Sequence, residues 1–178
     1  MKNIIEKKIN DTRSVCHDVL VSMRRIIQAI DLHSRYLLRN YGLTGPQLVI
    51  LQEMAKHKEI SIGDLAKAIS LGQATVTGIL TRLENRGLVV RRRSNNDKRR
   101  IFVRTTEDCQ QLLESAPPPL QETFMDQFNN LLDWEQTLIL SALQRLVSMM
   151  DASALSAEPI LATEPLTNTP NQIEEPVK

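Results

Sequence analysis

Small polar side chains recur along the segment from Gln73 to Arg86, opposite an apolar stripe. The apolar residues follow one another at three- and four-residue steps, which predicts a helix with one buried face. Its other surface is small or polar and stays uncharged until the end. Side chains of this kind can approach base edges in the major groove of duplex DNA and form hydrogen bonds with them. The residues that suit this role are Gln73, Thr75, Thr77 and Thr81, and Gly78 would let the backbone come close.

Basic residues cluster directly after this helix. The stretch from Arg82 to Arg104 contains nine Lys and Arg residues, opposed by Glu84 and Asp97. Strand-like runs at 88–93 and 101–105 flank a polar turn, which predicts a β-hairpin that carries the arginines. Arg99 at this turn suits the narrow minor groove, whose negative potential attracts arginine. A run of charges is more often a solvated face, so the cluster alone does not decide for DNA.

Charge is also distributed unevenly over the whole chain. Residues 1–105 carry 20 Lys and Arg against 9 Asp and Glu, whereas residues 106–178 carry 2 against 12. The net charge of +1 therefore hides a strongly basic part and an acidic part. This asymmetry favours a polyanionic partner for the first 105 residues.

Composition excludes several other classes of protein. The 178 residues are 42% hydrophobic and 24% charged, as in a globular protein, and no apolar run is long enough to span a bilayer. Two cysteines make no disulfide framework, and the start lacks a signal-peptide core, so we expect a cytoplasmic protein without a membrane partner. The chain has no nucleophile motif, paired carboxylates or metal-ligand spacing. We therefore expect that it is not an enzyme and binds no cofactor. His57 and Glu59 lack further ligands and are interpreted as a solvated loop rather than a metal site.

The elements around this segment are mainly helices. The first, predicted from about Asp11 to Asn40, is longer than a small domain can cover, which suggests that a second chain covers part of it. Thr44, Ser61 and Thr106 are predicted helix caps, and Gly87 is a predicted left-handed C-cap. Four of the eight prolines lie beyond residue 151 with no apolar periodicity, so we expect a disordered tail there.

Two short helices, a tight connection, a third helix and a basic hairpin describe a winged helix-turn-helix. We therefore predict a mostly α fold with a small β-hairpin wing (α+β). Its parts are an N-terminal dimerisation helix at 11–42, a DNA-binding lobe at 43–106, C-terminal dimerisation helices at 107–150 and a disordered tail at 151–178.

Four runs in this lobe carry a family resemblance. They are Ile62-Gly-Asp-Leu-Ala, Ala74-Thr-Val-Thr, Leu83-Glu-Asn-Arg-Gly-Leu-Val-Val-Arg and Asp97-Lys-Arg-Arg-Ile. In these runs the chain resembles the MarR family of bacterial transcriptional regulators. The resemblance implies a homodimer with intertwined terminal helices that binds pseudo-palindromic operators as a repressor, with double-stranded DNA as partner.

The resemblance also implies roles for individual residues. Asp97 would orient Arg99, which would enter the minor groove. Gly72 departs from the family, because a serine often caps the recognition helix at this position. The residues that the resemblance implies as DNA contacts are Ser70, Gln73, Ala74, Thr75, Thr77, Arg82 and Arg99. We expect Thr81 and Arg100 to contact DNA as well.

Other interpretations stay open at this stage. The runs Ala29-Ile-Asp-Leu-His-Ser-Arg and Leu43-Thr-Gly-Pro-Gln-Leu look like the branch that controls ectoine and other compatible-solute genes, which suggests osmotic-stress targets. Cys16 could make the protein a redox sensor, and His33 with Tyr36 could line a pocket for an unknown small effector. A dimeric helical adaptor without DNA binding is a further alternative, disfavoured by the complete wing.

Overall fold

The computed structural model describes residues 2–94, 97, 100–155, 157 and 159–163, with side chains from residue 15 onward. The predicted fold class is confirmed: the chain is mostly helical, with a small antiparallel sheet of three strands. The elements are α1 (Lys2–Tyr41), α2 (Gly45–Ala55), β1 (Ile60–Ser61), α3 (Ile62–Ala68), α4 (Gln73–Asn85), β2 (Val89–Arg93), β3 (Ile101–Thr105), α5 (Glu107–Ser115), α6 (Leu120–Asn129) and α7 (Asp133–Met149).

The core lies where α2, α3 and α4 pack against the sheet. Leu48, Leu65, Leu80 and Val89 are fully or almost fully buried there. Helix α1 adds Leu37 near its C-terminal end, whereas most of its earlier apolar residues are exposed. The lobe at 43–106 therefore supplies most of the core of the single chain.

The sheet has one more strand than the predicted hairpin. Its order is β1-β3-β2, and all neighbours are antiparallel. Strand β1 is two residues long and leads directly into α3, where Ser61 Oγ accepts a hydrogen bond from the Asp64 N–H. Ser61 is both the last residue of β1 and the N-cap of α3. The sequence indicates only the cap, because two residues are too few to show a strand pattern.

The other predicted helix ends are largely confirmed. Thr106 Oγ1 accepts from the Cys109 N–H at the start of α5, and Gly87 has the left-handed φ of +72° expected after α4. Helix α1 begins at Lys2 rather than near Asp11, since no glycine or proline interrupts the chain before Gly42. The last helix begins at Asp133, with Leu132 as its N-cap.

The segment that follows α7 lies within the predicted disordered tail at 151–178, and several of its described residues contact the rest of the chain. Ile160 packs against the core, and the Thr163 N–H donates to Ser34 Oγ in α1. Ala162 also lies against Gly45 at the start of α2. Residues 164–178 lie outside the described part of the chain. No local pattern in the sequence indicates these contacts, because the apolar residues between 155 and 162 recur with neither helical nor strand periodicity.

None of the helices that the structure describes has the length and apolar character of a membrane span.

Candidate nucleic-acid interface

A tight turn places α4 on the surface of the lobe. Ser70 lies in this turn with a φ of +55°, and its N–H donates to the Lys67 carbonyl. Leu71 is buried, which fixes the turn to the core. Gly72 is the N-cap of α4 and supplies no side-chain cap, so backbone N–H groups at this helix end lack the usual hydroxyl partner.

Helix α4 has the two faces predicted from its sequence. Val76, Ile79, Leu80 and Leu83 are buried. The opposite face is exposed at Gln73 and Ala74 and half-buried at Thr75 and Thr77. A Cβ atom built on Gly78 would meet nothing within 4 Å, so this face is open at its centre. The exposed face is therefore small, polar and uncharged from Gln73 to Gly78, with open space over Gly78 among the described residues.

The threonine hydroxyls of α4 are partly engaged within the helix. Thr77 Oγ1 donates to the Gln73 carbonyl at 2.7 Å, and Thr81 Oγ1 donates to the Thr77 carbonyl at 3.0 Å. Thr77 Oγ1 keeps a lone pair that can accept a further hydrogen bond, whereas Thr81 Oγ1 also accepts from Arg91 at 2.8 Å. Thr81 is thus held by the wing, which the sequence did not reveal.

Several wing arginines are paired inside the lobe. Arg91 lies 3.1 Å from the Glu84 carboxylate, Arg92 lies 2.6 Å from Glu59, and Arg100 lies 3.1 Å from Asp64. Arg100, predicted as a DNA contact, therefore also contacts α3. Because side chains alternate across a strand, neighbouring arginines of β2 reach different partners. The basic cluster is a braced structure as well as a source of positive charge.

The turn of the wing is closed by backbone hydrogen bonds. The Ser94 N–H donates to the Arg100 carbonyl, and the Arg100 N–H donates to the Asp97 carbonyl at 2.9 Å. The Asp97 N–H in turn donates to Ser94 Oγ. Arg99 lies outside the described residues, so its predicted contact with Asp97 remains a prediction.

An open groove of about 280 Å³ lies between α3, α4 and the wing. Its walls include Gln73 and Thr77 from α4 together with Lys67 and Arg100. Arg82, at the C-terminal end of α4, is half-buried and donates to the Gly78 carbonyl at 3.4 Å. Most of the predicted contact residues in the described part of the chain thus lie on α4 or beside this groove, with Ser70 in the turn before α4.

The predicted effector residues, His33 and Tyr36, both lie on α1. His33 is half-buried on α1, and its Nε2 atom has no hydrogen-bond partner among the described residues. Burial lowers the pKa of this imidazole, which favours its neutral form. Tyr36 is 49% exposed and packs edge-on against Tyr41.

The two cysteines differ in exposure. Cys16 is exposed on α1, whereas Cys109 is buried at the start of α5. Burial raises the pKa of the Cys109 thiol to about 11. Since the thiolate is the reactive form, Cys109 is unsuited to redox sensing. Within the described residues, no group of three or more His, Cys, Asp or Glu side chains could hold a metal ion.

Comparison with known proteins identifies the family. The MarR family model matches residues 43–101, which contain α2 to the start of β3. The transcriptional regulator FarR of Neisseria gonorrhoeae is 30% identical over 132 residues, covering 74% of this chain and 90% of that protein. The chain belongs to the MarR family. MarR-family transcriptional regulators bind DNA, and the relatives found are regulators rather than enzymes.

Further matches agree with this assignment. The homoprotocatechuate degradative operon repressor of Escherichia coli is 29% identical over 109 residues, covering 61% of this chain and 74% of that protein. A probable transcriptional regulator from Pseudomonas aeruginosa has 25% identity and a TM-score of 0.50, covering 71% of this chain and 94% of the solved one. The protein in the S. aureus MepR–DNA complex shares the fold, with 21% identity and a TM-score of 0.50. The match covers 72% of this chain and 96% of the solved one.

Proposed function

We propose that this MarR-family chain binds specific duplex DNA sequences as a homodimer and represses transcription. The observation that carries the proposal is the exposed face of α4, which is polar, uncharged and open at Gly78 beside a basic wing. Such a face can enter the major groove, while the wing arginines reach phosphates and the minor groove. Repression is supported by the relative from Escherichia coli, which is named as an operon repressor.

The proposed contacts divide into two groups. On α4 and the turn before it, Ser70, Gln73, Ala74, Thr75 and Thr77 would face bases and nearby phosphates, with Arg82 at the far end of the helix. On the wing, Arg99 would enter the minor groove, and Asp97 would orient it. Thr81 and Arg100 would act mainly through their contacts within the lobe.

Dimerisation is proposed from apolar side chains that the single chain leaves exposed. In α1, Leu20, Ile27 and Leu32 are each at least 60% exposed, and in α7 Trp134 and Leu138 are similarly exposed. Mutual burial by a second copy would remove these faces from water. Light scattering should give roughly 40 kDa, twice the 20.2 kDa of one chain. A stable monomer at micromolar concentration would contradict the dimer.

We further propose that the protein is cytoplasmic and that it regulates osmotic-stress genes. The second proposal is supported by the sequence runs that begin at Ala29 and Leu43. A small effector near His33 is compatible with the unpartnered Nε2 atom. Genome-wide mapping of the tagged protein, with and without osmotic stress, tests the targets. Sites upstream of compatible-solute genes are expected, and sites confined to unrelated genes would contradict this assignment.

DNA binding itself is tested by selection of duplexes from a random library. The wild-type protein should enrich a pseudo-palindrome whose half-sites lie about one helical turn, ~10 bp, apart. Enrichment of no sequence at all would contradict the proposal and favour an adaptor without DNA binding.

A further inference from the structure

Arg92 and Glu59 join two parts of the sheet that are distant in sequence. Arg92 Nε lies 3.0 Å from Glu59 Oε1, and Arg92 Nη2 lies 2.6 Å from Oε2. This is the bidentate geometry in which a guanidinium and a carboxylate bind most firmly. The pair is partly exposed, since the Arg92 and Glu59 side chains are 57% and 26% accessible.

The pair crosses the middle strand. Arg92 lies in β2, and Glu59 directly precedes β1, which is on the other side of β3. Phe102 in β3 is the register partner of Arg92, and its ring lies 5.8 Å from the guanidinium carbon. Arg100 approaches the same ring at 5.4 Å. The guanidinium of Arg92 is therefore held by a carboxylate and by an aromatic ring.

The position of the pair matters for the wing. Strand β1 pairs with β3 at Val103 and Phe102, and Phe102 is the pair nearer the tip of the wing. Arg92 thus sits at the level of the last backbone pair between β1 and β3 before the hairpin projects outward, and Glu59, one residue before Ile60, reaches it from the side of the lobe. A contact here limits the angle at which the wing leaves the lobe.

The pair is ionised at neutral pH. The hydrogen bond from Arg92 holds the pKa of Glu59 below its ordinary value, and the nearby charge of Arg104 acts in the same direction. Glu59 was interpreted from the sequence as part of a solvated loop. The structure shows instead that its carboxylate is engaged by the wing.

We propose that Glu59 is a positioning residue for DNA binding, which holds the wing in its DNA-binding orientation through Arg92. This inference rests on the proposed function, because it concerns how the wing meets DNA. It makes a prediction opposite in sign to that of charge alone. Removing a negative charge beside a basic wing should strengthen DNA binding if only the net field matters, whereas loss of the positioning contact should weaken it.

The test uses the full chain and four variants. Glu59→Gln removes the charge, Glu59→Arg reverses it, and Glu59→Arg with Arg92→Glu restores an ion pair at the wild-type net charge. Glu107→Gln is the control, because it removes the same charge from an exposed residue of α5. Affinity is measured by fluorescence anisotropy on the duplex selected with the wild-type protein.

Glu59→Gln should bind up to about fivefold more weakly than wild type, as expected for loss of one partly exposed ion pair. Glu59→Arg should bind more weakly still despite its added positive charge, and the double variant should recover at least half of that loss. Glu107→Gln should bind as wild type does or slightly more tightly. Equal or tighter binding by both Glu59 variants, or no recovery in the double variant, would overturn the inference.

A second measurement needs no DNA. Trypsin should cut Glu59→Gln between residues 91 and 104 faster than it cuts the wild-type and Glu107→Gln proteins, because the wing opens more often. Equal cleavage rates would overturn the positioning role. If the wild-type protein selects no duplex, the proposed function fails, and trypsin cleavage still decides whether Glu59 holds the wing.

Discussion

The Arg91 guanidinium donates a 2.8 Å hydrogen bond to Thr81 Oγ1 and thereby ties the first strand of the wing to α4. The same nitrogen lies 3.2 Å from the Thr77 carbonyl, and the Arg91 side chain also forms an ion pair with Glu84. The two elements proposed to contact DNA are therefore fixed relative to each other before DNA arrives. Such preorganisation reduces the entropy lost on binding.

Arg91→Ala should lower both the free energy of unfolding and the affinity for DNA. Its side chain is 21% accessible and holds several charge-assisted contacts, so we expect a stability loss of about 1–2 kcal/mol. Arg93→Ala is the matched control, because it removes the same charge from an exposed residue of the same strand. Urea unfolding and anisotropy should show that Arg93→Ala changes affinity alone. Equal stability of the two variants would contradict the bracing role.

Gly78→Ala should separate stability from function. Apart from the backbone of α4 itself, the added Cβ meets no described atom within 4 Å, and alanine favours a helix over glycine by up to about 1 kcal/mol. The variant should therefore unfold at a higher temperature. It should also bind DNA more weakly, because the added methyl group lies where the backbone of α4 is proposed to approach the major groove of DNA. A stabilised variant with wild-type affinity would show that this face does not meet DNA closely.

Ile160→Ala should destabilise the fold although Ile160 follows the last helix. The side chain is half-buried against the core, so we expect a loss of about 1 kcal/mol in the free energy of unfolding, below the range for fully buried isoleucines. Leu155→Ala is the control, since Leu155 is 74% exposed. Stability is measured by thermal unfolding. Equal unfolding temperatures of the two variants would indicate that the segment at 159–163 does not pack against the core in solution.

Cys109 should resist alkylation in the folded protein. With a pKa of about 11, its thiol is almost entirely protonated at pH 8, and burial also blocks access. Iodoacetamide at pH 8 should therefore label Cys16 first, and Cys109 should react only after denaturation in urea. Rapid native labelling of Cys109 would contradict this buried environment.

Local patterns in the sequence were sufficient to predict much of the lobe. The buried stripe of α4, the caps at Ser61 and Thr106 and the left-handed Gly87 all depend on neighbours within a few positions. The hairpin followed from two strand-like runs around a polar turn. These features placed Gln73 and Thr77 on the polar face of α4, where the structure has Gln73 exposed and Thr77 half-buried.

The features that were missed depend on residues far apart in sequence. Glu59 and Arg92 are 33 positions apart, and nothing local marks either as a partner of the other. Strand β1 is too short for alternation to appear, and it becomes a strand only by pairing with β3. Thr163 and Ser34 are 129 positions apart, so no local pattern in the sequence predicts the contact between them.

The central claim is that the exposed face of α4 reads base sequence, and Gln73 tests it most directly. Gln73 is exposed in the first turn of α4, and a glutamine can form paired hydrogen bonds with adenine. Duplexes are selected from one random library by the wild type, by Gln73→Ala and by the control Asn85→Ala, which removes a similar amide at the far end of α4. Gln73→Ala should relax the preference at one position of each half-site, with a loss of about 1–3 kcal/mol on the wild-type sequence, while Asn85→Ala keeps the wild-type preference. An unchanged base preference in Gln73→Ala, with both variants weakened equally, would contradict the claim.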